Sequence, residues 1–478
     1  MPCITGDWVG VNTAPTPPLV RSKPHFGWWA LLYAVMVFYA STLVTVTGIA
    51  IVWRDPEQML WKLINIPLIE HGSDQRADWM GNLGMLIPLG FLLTGMLLPA
   101  PRPMQRRWGK QGPLYGGVAR RVIAAIVALV LCFTYIVAVK YVQLFTPRTV
   151  NLNYIIAQTS GAVIGILCCA VGIDAITVAM RRIREGSHAG LVSLLRLYTL
   201  TVFIFVLAPF DVVISPGDFA DRLASLPNSL FSIPGADRAL HLRALIILGG
   251  AGMMVPVGML LQAARPNRSL AGVVGIGLLL VCAMLVLSMC ILSAAPTLVS
   301  VPVRLGGILA GAVVYRGLGR WDIAPLRRVL PYLAGLAVLP YLAALLVANS
   351  LVSLHWRSPA ETWAVLDPRF FLPFWTHYMV PKAQAIKSVV VHALMYAPLG
   401  AMIWAWFGGG RWQLRLAAVL AFMVAVTIEV GRMMAPGLML DLNNAAIGTV
   451  AAGFTVGFMR ILWTMLENVR AARMAHDG

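Results

Sequence analysis

Apolar runs of about 20 residues, long enough to cross the hydrocarbon core of a bilayer, recur along the chain and are separated by short polar connections. They predict membrane-spanning helices at 28–52, 80–99, 119–143, 154–180, 189–210, 242–263, 270–292, 299–316, 329–350, 385–407, 413–433 and 443–466, about twelve in all. The eighth is short and begins near Arg304. At the front of the second run stands NLGMLIPLG (82–90), with a proline where a soluble helix would lose about 3 kcal/mol. The same Pro-x-Gly recurs in GAGMMVPVG (250–258) and HALMYAPLG (392–400).

Other features keep their order around these prolines. WRDPEQ (53–58) is echoed by WRSPAE (356–361), and NIPL (65–68), LAPF (207–210) and FLPF (371–374) precede the three proline helices. Further on, KYVQLFTPRTVNLNYIIAQTSG (140–161) corresponds to EVGRMMAPGLMLDLNNAAIGTVAAG (429–453). The middle counterpart, ILSAAPTLVSVPVRLGGILAG (291–311), keeps proline and glycines and loses nearly all polar side chains. The pattern predicts an all-α, polytopic membrane protein of three four-helix units. These are 28–185, a degenerate 186–325, and 326–466, between tails 1–27 and 467–478. Pro88, Gly90, Pro256, Gly258, Pro373, Phe374, Pro398 and Gly400 mark the register.

Composition agrees with this reading. Of 478 residues 59% are hydrophobic and only 12% charged, where a soluble domain carries about a quarter charged. The net charge of +18 would suit nucleic acid only if it formed a basic face. Here Lys and Arg fall in alternate connections: 101–121, 181–185, 265–268, Arg316–Arg328, Arg411–Arg415, and the tail with Arg460, Arg470 and Arg473. The other connections are longer and hold most of the acids, as in 53–78. The positive-inside rule therefore predicts a multi-pass protein of the bacterial inner membrane with both termini cytoplasmic. The N-terminus is polar and proline-rich and lacks a signal-peptide apolar core. Five of the six cysteines lie in apolar runs with no metal-binding spacing, so they read as apolar filler, and neither metal nor cofactor is expected.

This topology places the recurring polar residues at the outer face. Asn82 and His392 open the second helix of their units, and Lys140 with Gln143, or Glu429 with Arg432, ends the third on one helix face. Arg148, Asn151, Asn153 and Gln158, or Asp441, Asn443 and Asn444, follow in the turn and fourth helix. Polar groups at membrane depth must be buried together or face water. Each also has a structural reading. Asn82 can cap its helix, Lys140 can snorkel, Glu429 can form an ion pair with Arg432 or Asp441, and Arg148 can meet lipid headgroups or an anionic ligand.

With these blocks in order, the chain resembles the VanZ-like membrane protein family. That family's pattern runs PF, then N-x-x-x-[FY]-x-P-L-G, then E-x-x-Q, then a turn with Arg and a D-L-N-D-type stretch before a Gly-rich helix. The first unit matches it at Asn82, Pro88, Gly90, Gln143, Arg148, Asn151 and Gly161, with Lys140 where Glu is usual and Tyr154 where Asp is usual. The last unit matches at Pro373, Phe374, Tyr396, Pro398, Gly400, Glu429, Asp441 and Asn443, with His392 for Asn and Arg432 for Gln. The resemblance implies a cell-envelope context and a link to teicoplanin-type glycopeptide resistance.

No HExxH, GxSxG, P-loop or CxxC occurs, so no catalytic motif is recognisable. The first functional expectation is an envelope protein that binds a lipid-linked or amphipathic ligand, a glycan precursor or a glycopeptide, at the outer face. The partners expected are the bilayer and such a ligand, not nucleic acid. The alternatives are a transporter or flippase for a lipid-linked glycan, whose site would lie nearer mid-membrane, and a membrane enzyme of exopolysaccharide assembly.

Overall fold

A computed structural model of the chain describes residues 25–43, 55–66, 76–99, 116–146, 150–207, 216–233, 240–265, 267–291, 296–317, 324–352, 356–378, 382–438 and 440–477. Positions 106–107, 110–111, 213 and 380 are described singly or in pairs. Arg148, most of the N-terminal tail, and the prolines of NIPL and LAPF lie outside the described residues.

Apart from a two-residue hairpin pairing Arg106 with Gln111 and Arg107 with Lys110, the described chain is helical. It runs α1 (Phe26–Phe38), α2 (Pro56–Ile64), α3 (Arg76–Leu97), α4 (Val118–Gln143), α5 (Leu152–Arg184) and α6 (His188–Leu207). Next come α7 (Pro216–Leu230), α8 (Leu240–Ala264), α9 (Leu270–Met289), α10 (Ser300–Gly317) and α11 (Ala324–Ala348). The last are α12 (Pro359–Ala364), α13 (Trp375–Tyr378), α14 (Lys382–Phe407), α15 (Arg411–Met434) and α16 (Leu442–Asp477). Ten of these are long and apolar enough to cross a membrane. The protein is an all-α polytopic membrane protein. Of the other two predicted spans, 28–52 falls on α1 and its π-helical continuation Tyr39–Leu43, and 299–316 on α10 with its Arg304. Large apolar side chains such as Val171, Leu279, Leu336 and Phe454 point outward, as lipid-facing positions do.

The tightest helix pairs are α3 with α5, α8 with α10, and α14 with α16. In the first, a methyl group on Gly161 or Gly165 of α5 would land on the carbonyl oxygens of Leu83 and Ile87, and one on Gly90 would land on that of Ala162. In the second, Gly307 and Gly311 stand against the carbonyls of Ala251 and Val255, and Gly258 against that of Ile308. In the third, Gly400 faces the Ala452 carbonyl, while Gly448 lies beneath the Tyr396 ring. Lipid supplies no hydrophobic drive between helices, so small residues that allow backbones to touch do this work.

A tyrosine from an earlier helix, α1, α6 or α11, braces each pair. Tyr33, Tyr198 and Tyr341 donate to the carbonyls of Met85, Met253 and Met395, at 2.8, 3.0 and 3.0 Å. Each acceptor lies three residues before its proline. Tyr→Phe at any of the three is expected to cost about 0.5–1 kcal/mol, read as the shift of unfolding midpoint in detergent. A gain in stability at any one would show that the contacts are not equivalent.

Two sequence expectations change. Asn82 and His392 do not open their helices, because α3 and α14 begin at Arg76 and Lys382. Pro88 therefore lies three turns inside α3, not in its first turns, and Pro256 and Pro398 lie still further from their helix starts. At the opposite helix ends, Asp174 pairs with Arg121 at 2.5 Å, and Arg121 also donates to the Ala170 and Gly116 carbonyls.

Candidate functional site

The densest buried polar set gathers where α15 ends and α16 begins. Glu429 and Arg432 lie three apart on one face of α15, and Glu429 is 1% exposed. Its Oε1 accepts from Arg432 Nη1 at 3.1 Å and from Asn444 Nδ2 at 2.9 Å, while Oε2 accepts from the Asp441 backbone N–H at 2.8 Å. A buried carboxylate is tolerable only with such compensation.

Asp441 is the N-cap of α16, and its Oδ1 accepts from both the backbone and side-chain nitrogens of Asn443, at 3.1 and 2.7 Å. Asn443 Oδ1 in turn accepts the Phe374 N–H at 2.8 Å, tying down the Pro-Phe turn. Phe374 has φ 60°, an uncommon conformation for a non-glycine residue. That tie brings α13 over the site. Thr376 donates to Asp441 Oδ2 at 2.6 Å, and His377 Nδ1 lies 3.5 Å from the same oxygen. The His377 side chain is 8% exposed, and its Nε2 is buried with no hydrogen-bond partner among the described residues. Asn444 Oδ1 is in the same condition.

Arg432, by contrast, keeps 22% of its side chain exposed and gives one N–H to Glu429. His392 holds its Nδ1 against the Ser388 carbonyl at 2.8 Å and lies within electrostatic reach of Arg432, Glu429 and Asp441. Both carboxylates are thus saturated by donors from the chain, and the groups left to meet a ligand are the Arg432 guanidinium and the imidazoles. Groups of that kind can donate hydrogen bonds to oxyanions.

The first unit carries a related but different set. Lys140 is 2% exposed, so it does not snorkel. It donates to Gln143 Oε1 at 3.0 Å and stands 5.7 Å from the Tyr154 ring centre. Gln143 donates to the Ser41 carbonyl at 2.6 Å. Gln158 donates to Asn82 Oδ1 at 2.9 Å across α3 and α5, and Asn82 returns its amide to the Asp78 carbonyl. Asn151 caps α5 through the Tyr154 N–H, and Asn153 is half-buried in the first turn. None of the bonds just described joins this set to the Glu429 set.

The structure therefore gathers Glu429, Arg432, Asp441 and Asn443 at one point, with His392 nearby, and Asn82, Lys140, Gln143 and Asn151 in a separate region. Thr376 and His377 were not among the expected site residues. The signal for both was their place directly after the PF motif.

These features define a class: a helical membrane protein whose buried polar residues cluster at helix ends. Within that class, the VanZ/LLP1 family model matches residues 26–173, and over that stretch the chain is VanZ-like. The match spans the Asn82 and Lys140 sets and stops before the Glu429 set. Neither curated proteins nor solved structures give a match.

Proposed function

We propose that the Glu429–Arg432–Asp441 end of the chain binds the anionic head of a lipid-linked envelope glycan precursor at the outer face of the bacterial inner membrane. In this reading the basic connections and both termini face the cytoplasm. The chain comprises three four-helix units, 28–185, 186–325 and 326–466, a division supported by the three recurring tyrosine braces and helix pairs. The observation that carries the proposal is the His377 ring. Asp441 and Thr376 hold its Nδ1 side, while Nε2 is buried without a partner among the described residues. A buried, oriented and unsatisfied imidazole in the same polar network as an under-used guanidinium suits a phosphate oxygen.

The test is equilibrium binding of a polyprenyl diphosphate bearing a labelled sugar to protein in nanodiscs. His377→Gln is expected to weaken binding about tenfold or more and to lower the unfolding midpoint only modestly, since it removes the Nδ1 contacts to Asp441 and Thr376 while Nε2 contributes no bond to the fold. Equal binding by parent and variant would overturn the reading. Binding of a teicoplanin-type glycopeptide but not the polyprenyl probe would assign the site to an amphipathic antibiotic instead. Transfer of the probe across proteoliposomes, abolished by Glu429→Gln, would make the protein a transporter. A reporter giving a cytoplasmic signal at residue 437 would remove the outer-face argument.

A further inference from the structure

The opposite end of the molecule holds a second charged feature, unrelated to the site above. There Ile183 of α5, Leu191 and Leu195 of α6, Ala263 of α8, Tyr315 of α10 and Met465 of α16 form one core. The last helix of the chain is thus wedged against helices from the first two thirds of the sequence. Asn468 Nδ2 pins the wedge by donating to the Gly186 carbonyl at 2.9 Å, and His188 Nε2 meets Tyr315 Oη at 2.8 Å. Gly186 makes the turn at φ 63°.

Beside this core opens a cleft of about 360 Å³ between the C-terminal end of α5 and the middle of α16. Its floor is apolar, made by Ile183, Ile461 and the bare Cα of Gly457, and its rim carries Arg184 and Arg460 with Thr464 between. Neither guanidinium pairs with a carboxylate among the described residues. The nearest acids are engaged: Glu185 accepts from Arg181 at 2.7 Å, and Glu467 from Trp463 Nε1 at 2.5 Å. Arg460 is also positioned, its aliphatic stem lying against the backbone of Gly409.

Depth comes from the aromatics. Trp404 and Trp463 meet with ring centres 5.6 Å apart, Arg327 lies over Trp404 at 4.7 Å, and Trp406 donates to the Pro331 carbonyl at 2.9 Å. Tryptophans beside arginines mark the headgroup level of a bilayer. A cleft at that level with an apolar floor and two unmatched cations is complementary to a phosphate attached to acyl chains.

We infer that this cleft binds the headgroup of an anionic phospholipid, its phosphate held by Arg184 and Arg460 and its first acyl carbons against Ile183, Ile461 and Gly457. The bound lipid bridges the first and last thirds of the chain at the junction that Met465 packs. Both arginines are exposed and Gly457 has open space where a side chain would go, so substitutions here leave the fold intact.

Native mass spectrometry of protein extracted from membranes containing phosphatidylglycerol tests this. The parent is expected to retain a phospholipid adduct whose occupancy falls about tenfold in Arg184→Gln/Arg460→Gln. Gly457→Leu, which keeps both charges and fills the floor, is expected to lose the adduct as well. In nanodiscs, phosphatidylglycerol replacing phosphatidylcholine should raise the unfolding midpoint of the parent and not of the double variant. Unchanged adduct occupancy in both variants would overturn the inference. So would inorganic phosphate raising the parent's midpoint in detergent as much as the lipid does, because the ligand would then be a soluble anion.

Discussion

Replacing Glu429 with leucine is expected to lower the stability of the protein by about 3–5 kcal/mol. Three donors converge on this one carboxylate: Arg432 Nη1, Asn444 Nδ2 and the Asp441 N–H. Leucine would strand all three, two of them on fully buried residues, and would leave the guanidinium without its counter-charge. Glu429→Gln should cost less, about 1–3 kcal/mol. It keeps one acceptor oxygen but turns its NH₂ toward a donor that has lost its acceptor. The decisive comparison adds Arg432→Leu to Glu429→Leu. If an uncompensated cation dominates the loss, the double variant recovers part of it, measured as unfolding midpoint in nanodiscs. If Glu429→Leu melts with the parent, the network is not structural and its charges would have to serve binding alone.

What could be read from the residues, and what could not, follows from the physics of the two signals. Apolar runs located the helices because lipid demands about 20 apolar residues per crossing. The same rule misplaced their starts. A helix need not stop where hydrophobicity does, so α3 extends back to Arg76 and α14 to Lys382. That error made Asn82 look like a cap and set Pro88 near the start of its helix. Polar residues within apolar runs did point to Glu429 and Lys140, because burying charge is costly enough to be informative. Their partners were harder. Asn444 and Gln158 act through contacts set by how closely two helices approach, and His377 sits in a connection whose path over α16 depends on the Phe374–Asn443 and Thr376–Asp441 bonds. The glycines that set the close approaches were visible as motif positions, but not the carbonyls they face.

Those approaches give the second large effect. Gly161→Ala is expected to destabilise the protein by about 2–3 kcal/mol, near the upper end for overpacking. The added methyl would meet not a flexible side chain but the carbonyl of Leu83, with the backbone of α3 behind it. Relief requires α5 to move away from α3. That motion also parts Gln158 from Asn82, which lie one turn and one residue from the collision and hold a 2.9 Å bond. Gly172→Ala, eleven residues further along the same helix, is the control. There a methyl would meet only Ile176 Cδ1, at 3.7 Å, so removing backbone freedom should stabilise α5 by about 0.5–1 kcal/mol. The two alanines have the same intrinsic helix propensity, and only packing distinguishes them. Opposite shifts of unfolding midpoint would establish that direct backbone contact between α3 and α5 holds the VanZ-like region together. Shifts of the same sign would mean that the helices are further apart than this. In that case the Asn82–Gln158 bond, rather than the glycines, would set the register between them.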